Sequence, residues 1–218
     1  EIMPSLVGSE MCIRDRAHAG HKVSVVARGP HLEAIRAKGL RLLEGDRELI
    51  ADDLAATDRL RELGHHDIVM MGLKAHQIGV VIEDLPSLFN PNTVMVTLQN
   101  GIPWWYFQKL GGEYADRVVE TVDPGGVLFR AIDPNRVIGC IAYPAATIAE
   151  PGVIRHIEGT RFPVGELDGA DTERVRMVSG LFEEAGFKSR VLDDIRSETV
   201  SYTHLRAHET RHAVVCRL

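Results

Sequence analysis

Three polar residues each stand at the end of an apolar run, and their side chains are of the kinds that hold anionic or carbonyl-bearing ligands. Arg28 closes His21–Ala27 (HKVSVVA), Lys74 closes Asp67–Leu73 (DIVMMGL), and Asn100 follows Thr93–Leu98 (TVMVTL) after one glutamine. A guanidinium presents a planar fork to phosphate, an ammonium a point charge, and a carboxamide both donor and acceptor. An ammonium and an amide side by side can hold a carbonyl oxygen or a ribose hydroxyl. A competing pattern lies at His208-Glu209-Thr210-Arg211-His212, which spells HExxH. On a helix it would turn two histidines toward one zinc ion, with the glutamate as general base. A zinc hydrolase also needs a third ligand and a cleft, so the match is read as fortuitous and no metal is expected.

The elements that must carry these residues follow from hydrophobic pattern. The three runs are short and β-branched, as in strands buried on both faces. Leu32, Ile35 and the closing Gly39 predict a short helix after the first run. Over Ala75–Phe89, Ile78, Val81, Ile82 and Leu85 share one helical face. Val137–Ala142, Phe162–Val164 and Ser189–Leu192 read as later strands. Asp171 is placed to cap a helix whose Val175, Val178, Leu181, Phe182 and Ala185 face inward, with Gly186 ending it. Strand–helix–strand alternation at this spacing means crossover connections, hence an α/β fold with a doubly wound, mostly parallel, Rossmann-like sheet. Ligands in such sheets sit at the carboxyl ends of strands.

Composition narrows the function classes. Acidic residues outnumber basic ones 31 to 25 among 218 residues, for a net charge of −6. That balance argues against a nucleic-acid partner, which asks for a basic face. No apolar run approaches the length of a membrane helix. Three cysteines, Cys12, Cys140 and Cys216, are odd in number and far apart, consistent with a reducing cytoplasm. Cys140 is expected to be a buried thiol, Trp104-Trp105-Tyr106 to pack on the core, and His65-His66 to lie in a solvated turn.

At the end of the first run, dinucleotide-binding folds contact the adenosine ribose. An acid there accepts from the 2′-hydroxyl of NAD, whereas a base neutralises the 2′-phosphate of NADP. Arg28 fits the second case, with a solvated surface arginine as the alternative.

His21–Arg28, the turn Gly72-Leu73-Lys74-Ala75-His76-Gln77 and Leu98-Gln99-Asn100-Gly101 together resemble the ketopantoate reductases (2-dehydropantoate 2-reductases). Tyr143-Pro144-Ala145-Ala146 and Pro151-Gly152-Val153-Ile154 extend the resemblance, which runs from about residue 17 to 198. It implies NADPH-dependent reduction of 2-dehydropantoate, a small 2-oxo acid, to pantoate on the way to pantothenate. It further implies Arg28 at the 2′-phosphate of NADP, Lys74 and Gln77 near the cofactor, Asn100 between nicotinamide and substrate, and Ala146 against the cofactor. Alternatives are an NADP-dependent reductase of another 2-oxo acid and a non-catalytic nucleotide-binding module.

Both ends depart from that family. Its GxGxxG glycines fall at positions 4, 6 and 9, where this chain has Pro4, Leu6 and Ser9. Its catalytic lysine, on the first helix of a second helical domain, falls at Tyr202; its substrate-binding asparagines fall at Arg206 and Thr210. The strings at 1–16 and 200–218 also resemble translated sequencing-adaptor DNA. The expected organisation is therefore a non-native segment at 1–16, a nucleotide-binding domain at 17–195, and at 196–218 a stub of the helical domain with a non-native tail. On that reading the fragment is truncated at both ends, catalytically inactive, cytoplasmic, deprived of a homodimer contact that the second domain would supply, and left with apolar surface uncovered near Ile195.

Overall fold

A computed structural model describes residues 21–204 of the chain. β1 (Val23–Val26) leads into α1 (Gly29–Lys38), a hairpin of β2 (Leu40–Glu44) and β3 (Arg47–Ala51), and β4 (Leu54–Thr57). β5 (His66–Met71), α2 (Ala75–Ile78) and β6 (Phe89–Thr97) follow, then α3 (Val127–Ala131) and β7 (Val137–Cys140). A second hairpin, β8 (Ala145–Glu150) and β9 (Val153–Glu158), precedes β10 (Val164–Glu166) and α4 (Glu173–Glu184). Helix α5 begins at 195 and is described as far as 204.

The described strands form three sheets: β1 with β4, β10-β7-β6-β5, and β3-β2-β9-β8. Parallel ladders join β1 to β4, β5 to β6, β6 to β7 and β2 to β9; the two hairpins and β10 add antiparallel pairs at the margins. The central strands are buried on both faces, as their apolar runs require. In β6, Val94 and Val96 point into one core cluster and Met95 into the other, the period-2 alternation of a sheet covered on both sides. Rings of Phe162 and Phe182 stack at 4.6 Å in the first cluster, while Trp104 and Trp105 are wholly buried in the second. The expected packing role of the two tryptophans is thus observed, and Cys140 is buried.

Several local expectations are corrected. The amphipathic run over 75–89 is helical only for Ala75–Ile78, continues as turns, and ends in a 3₁₀ turn at Leu85–Leu88. Gly79, the β-branched residues Val80–Ile82 and Pro86 disfavour a continuous helix. Ile78, Val81 and Leu85 nevertheless stay buried. Thr172, not Asp171, caps α4, its hydroxyl accepting from the Val175 N–H at 3.3 Å. Asp171 instead pairs with Arg176 at 2.8 Å. The segment 189–192 makes a single bridge, Val164 to Val191, rather than a strand. His66 opens β5 rather than lying in a turn, and its Nε2 lies 3.0 Å from Ser24 Oγ, so it joins β5 to β1. Ile195 is fully buried, against the expectation of an uncovered surface there.

Glycine permits one close approach that matters for the site. A Cβ on Gly139 of β7 would stand 2.8 Å from both the Trp105 ring and the Ile195 side chain. The start of α5 can seat on the sheet because that position carries no side chain.

Candidate functional site

The carboxyl ends of β1, β5 and β6 supply the polar residues foreseen at strand ends. Arg28 lies two residues beyond β1 and is the N-cap residue of α1, whose Pro30 sets the entry of the helix. Gly72-Leu73-Lys74 follows β5. The Lys74 N–H donates to Gln77 Oε1 at 3.2 Å, and the Gln77 N–H donates to the Lys74 carbonyl at 2.8 Å. These reciprocal bonds close a compact turn that leaves the Lys74 side chain exposed. Gln77 therefore helps to shape this turn as well as standing beside it.

Among the described residues a cavity of about 760 Å³ lies between β1 and β5. Val23, Val25, Ile68, Met70 and Leu181 line it, and Arg28 with Gly72 and Leu73 stands at one end.

Asn100 stands past the end of β6. Its Oδ1 accepts the Ala142 N–H at 3.2 Å, and its Nδ2 donates to the Ala142 carbonyl at 2.9 Å. The side-chain amide thus imitates a peptide group and adds a rung between the ends of β6 and β7. Nδ2 also donates to the Tyr202 hydroxyl at 2.8 Å. Beside Asn100, Gln99 Nε2 donates to the Leu73 carbonyl at 2.8 Å and ties the end of β6 to that of β5.

A polar cluster that the residue pattern did not single out lies behind this amide. The Tyr143 hydroxyl donates to Glu198 Oε1 at 2.7 Å, Arg161 lies 4.1 Å over the Tyr143 ring, and Tyr202 meets the same ring edge-to-face at 5.0 Å. Arg190 stands 3.5 Å from the Glu198 carboxylate. Burial and the bond to Glu198 push Tyr143 up to about 12, against the opposing pull of Arg161. The unfolded chain gives up this proton near pH 10.0, so between pH 10 and 12 the folded protein holds more protons. This contribution to stability is complete below pH 10 and is lost as pH rises toward 12. The urea midpoint is expected to fall more steeply across that interval in the unsubstituted chain than in Tyr143→Phe.

Ala146 lies in β8, paired with His156 of β9, and is partly buried against the first core cluster. The described contacts join Asn100 to Ala142 rather than to Ala146. No group of three or more metal-binding side chains occurs among the described residues, and His208–His212 lies outside them, as do Pro4, Leu6, Ser9, Arg206 and Thr210. No described helix is long and apolar enough to cross a membrane.

Residues 7–169 match the family described as ketopantoate reductase PanE/ApbA. The chain belongs to the ketopantoate reductase family. A 2-dehydropantoate 2-reductase of Mesorhizobium japonicum is 46% identical over 176 residues, covering 81% of this chain and 54% of its own length. The crystal structure of a ketopantoate reductase homologue from Ralstonia solanacearum superposes with a TM-score of 0.80 at 31% identity, covering 88% of this chain and 58% of that one. A D-mandelate dehydrogenase solved with NADH and anilino(oxo)acetate shares the fold at a TM-score of 0.67 and 16% identity, over 91% of this chain and 56% of its own. The chain spans about half the length of the curated reductase from Mesorhizobium japonicum.

Proposed function

We propose that the chain is the nucleotide-binding unit of an NADPH-dependent 2-dehydropantoate 2-reductase, acting in the cytoplasm on the way to pantothenate. What supports the reading most is the placing of Arg28, Lys74 and Asn100 just beyond the carboxyl ends of β1, β5 and β6. Arg28 would neutralise the 2′-phosphate of NADP, Lys74 and Gln77 would stand near the cofactor, and Ala146 would lie against it. Asn100 would sit between nicotinamide and the 2-oxo acid. The cofactor, when bound, supplies a hydride; the chain's own part is to orient it and to keep polar groups at the rim. The described residues fit such a dinucleotide in their chemistry, since a guanidinium follows the end of β1 and the fixed Asn100 amide follows the end of β6.

In this reading Tyr202 occupies the place of the family's catalytic lysine, and the chain does not turn over alone. Incubation with NADPH and 2-dehydropantoate is therefore expected to leave NADPH absorbance unchanged while the nucleotide remains bound. Steady loss of absorbance that depends on the 2-oxo acid would show that this half of the protein is catalytically sufficient.

A further inference from the structure

A histidine in the first turn of α1 is buried and accepts a backbone hydrogen bond. His31 is 4% exposed, and its Nδ1 takes the Gly152 N–H at 2.9 Å. Gly152 lies in the turn between β8 and β9, so this bond joins the start of α1 to the second hairpin. A ring nitrogen that accepts an N–H carries no proton, which places the hydrogen of the neutral imidazole on Nε2. A proton added at Nδ1 would set two N–H groups against each other where water has little access.

Gly152 has no easy retreat from such a clash. Its carbonyl accepts the Arg41 N–H at 2.9 Å at the edge of β2. A Cβ at Gly152 would stand 2.9 Å from the Ala34 Cβ, so the turn presses directly on α1. The other end of the bond matters for the site. Arg28 is the N-cap residue of α1, three positions before His31, and its side chain does not cap the helix. The seat of that first turn therefore depends on what His31 and the buried Leu32 hold.

Among the described residues, the charged and titratable groups on the β1 and β5 side of His31 are Arg28, His21, Lys22, His66 and Asp67, which line one crevice with it. On the hairpin side, Lys38, Arg41 and Glu150 line the small cleft at Gly152. Arg41 is paired with Glu48 and Glu150.

We propose that His31 is a positioning residue that works only as the neutral imidazole: by taking the Gly152 N–H it seats the first turn of α1 on the β8–β9 turn and so holds Arg28 in place toward an anionic nucleotide. The effect on nucleotide binding rests on the functional reading above; the seating of α1 does not. His31→Asn keeps an acceptor oxygen where Nδ1 stands and does not titrate. His31→Leu keeps bulk and removes the acceptor.

Two measurements on the whole chain decide the matter. The first is the protection factor of the Gly152 amide by NMR hydrogen exchange. Protection is expected in the unsubstituted chain and in His31→Asn at about pH 8, and its loss in His31→Leu. At about pH 5.5 the unsubstituted chain should lose it too, while His31→Asn retains it. The second is calorimetric titration with NADPH and with NADH at both pH values. Between them, the NADPH margin of the unsubstituted chain should fall about fivefold more than that of His31→Asn, the worth of one hydrogen bond. The 2′-phosphate takes up a proton over the same interval in both proteins alike, so the difference between them belongs to His31. Equal protection of Gly152 in the unsubstituted chain and in His31→Leu overturns the seating. If His31→Leu does not fold, equal protection of the unsubstituted chain and His31→Asn in acid overturns it instead. Equal margins in the unsubstituted chain and His31→Asn at both pH values overturn the link to Arg28. A chain that takes up neither nucleotide refutes the functional reading, while His31-dependent protection of Gly152 still stands.

Discussion

Arg174→Met is expected to lower the free energy of unfolding by about 3 kcal/mol, because it strands a carboxylate inside the protein. Glu166 ends the edge strand β10 and is only 2% exposed. Its two oxygens receive Arg174 Nε at 2.6 Å and Arg174 Nη2, and the Thr172 hydroxyl donates to Oε1 at 2.6 Å. The same guanidinium donates to the Asn135 carbonyl, so one side chain ties the start of α4 to β10 and to the turn before β7. The bond to Glu166 raises the Arg174 pKa, so the charge on the guanidinium is secure at any ordinary pH. Methionine keeps most of the stem and removes the charge. Breaking a buried pair on one side costs far more than removing it whole. The double variant Glu166→Gln with Arg174→Met should therefore recover much of the loss. Urea unfolding of the two proteins checks this, and a double variant no more stable than Arg174→Met contradicts it.

Trp105→Ala is expected to cost about 4 kcal/mol, in the range for deleting a large aromatic from a core. Trp105 is 1% exposed, and its indole N–H donates to Thr97 Oγ1 at 3.0 Å. Its ring lies in the space that a side chain at Gly139 would take, where Ile195 also enters. Alanine leaves a void bounded by β6, β7 and the start of α5, and exposes Thr97 to an unmet hydrogen bond. The loss should reach the site, because α5 carries both Tyr202 and Glu198. In Trp105→Ala the steeper fall in stability between pH 10 and 12 should therefore flatten, as it does in Tyr143→Phe. Denaturant titration at several pH values measures both effects.

The parts legible in the sequence were those written locally. Thr93–Leu98 announces a buried strand because a sheet covered on both faces favours apolar residues along its length; Val23–Val26 is legible as a strand from its β-branched residues, although only Val25 of the four is buried and Val26 is exposed. Arg28, Lys74 and Asn100 were legible for a related reason: a polar residue ending such a run must emerge at the rim. The β2–β3 and β8–β9 hairpins were not legible. Leu40–Glu44 and Val153–Glu158 interleave charged residues such as Arg41 and Arg155 with buried ones, and their pairing is set by a parallel contact between distant segments. The Tyr143–Glu198 and Asn100–Tyr202 bonds join residues 55 and 102 apart in the chain. No window of sequence contains both partners, and only the docking of α5 brings them together.

Titration of the chain with NADPH and with NADH, followed by the same pair of titrations on Arg28→Ala, tests whether Arg28 reads the 2′-phosphate of NADP. NADPH is expected to bind more tightly by at least about tenfold, since charge-assisted hydrogen bonds to a phosphate contribute about 1.5–3 kcal/mol. Arg28→Ala should remove that margin and leave NADH affinity nearly unchanged. Equal affinity for the two nucleotides in the unsubstituted chain, or a preference that survives in Arg28→Ala, would contradict it.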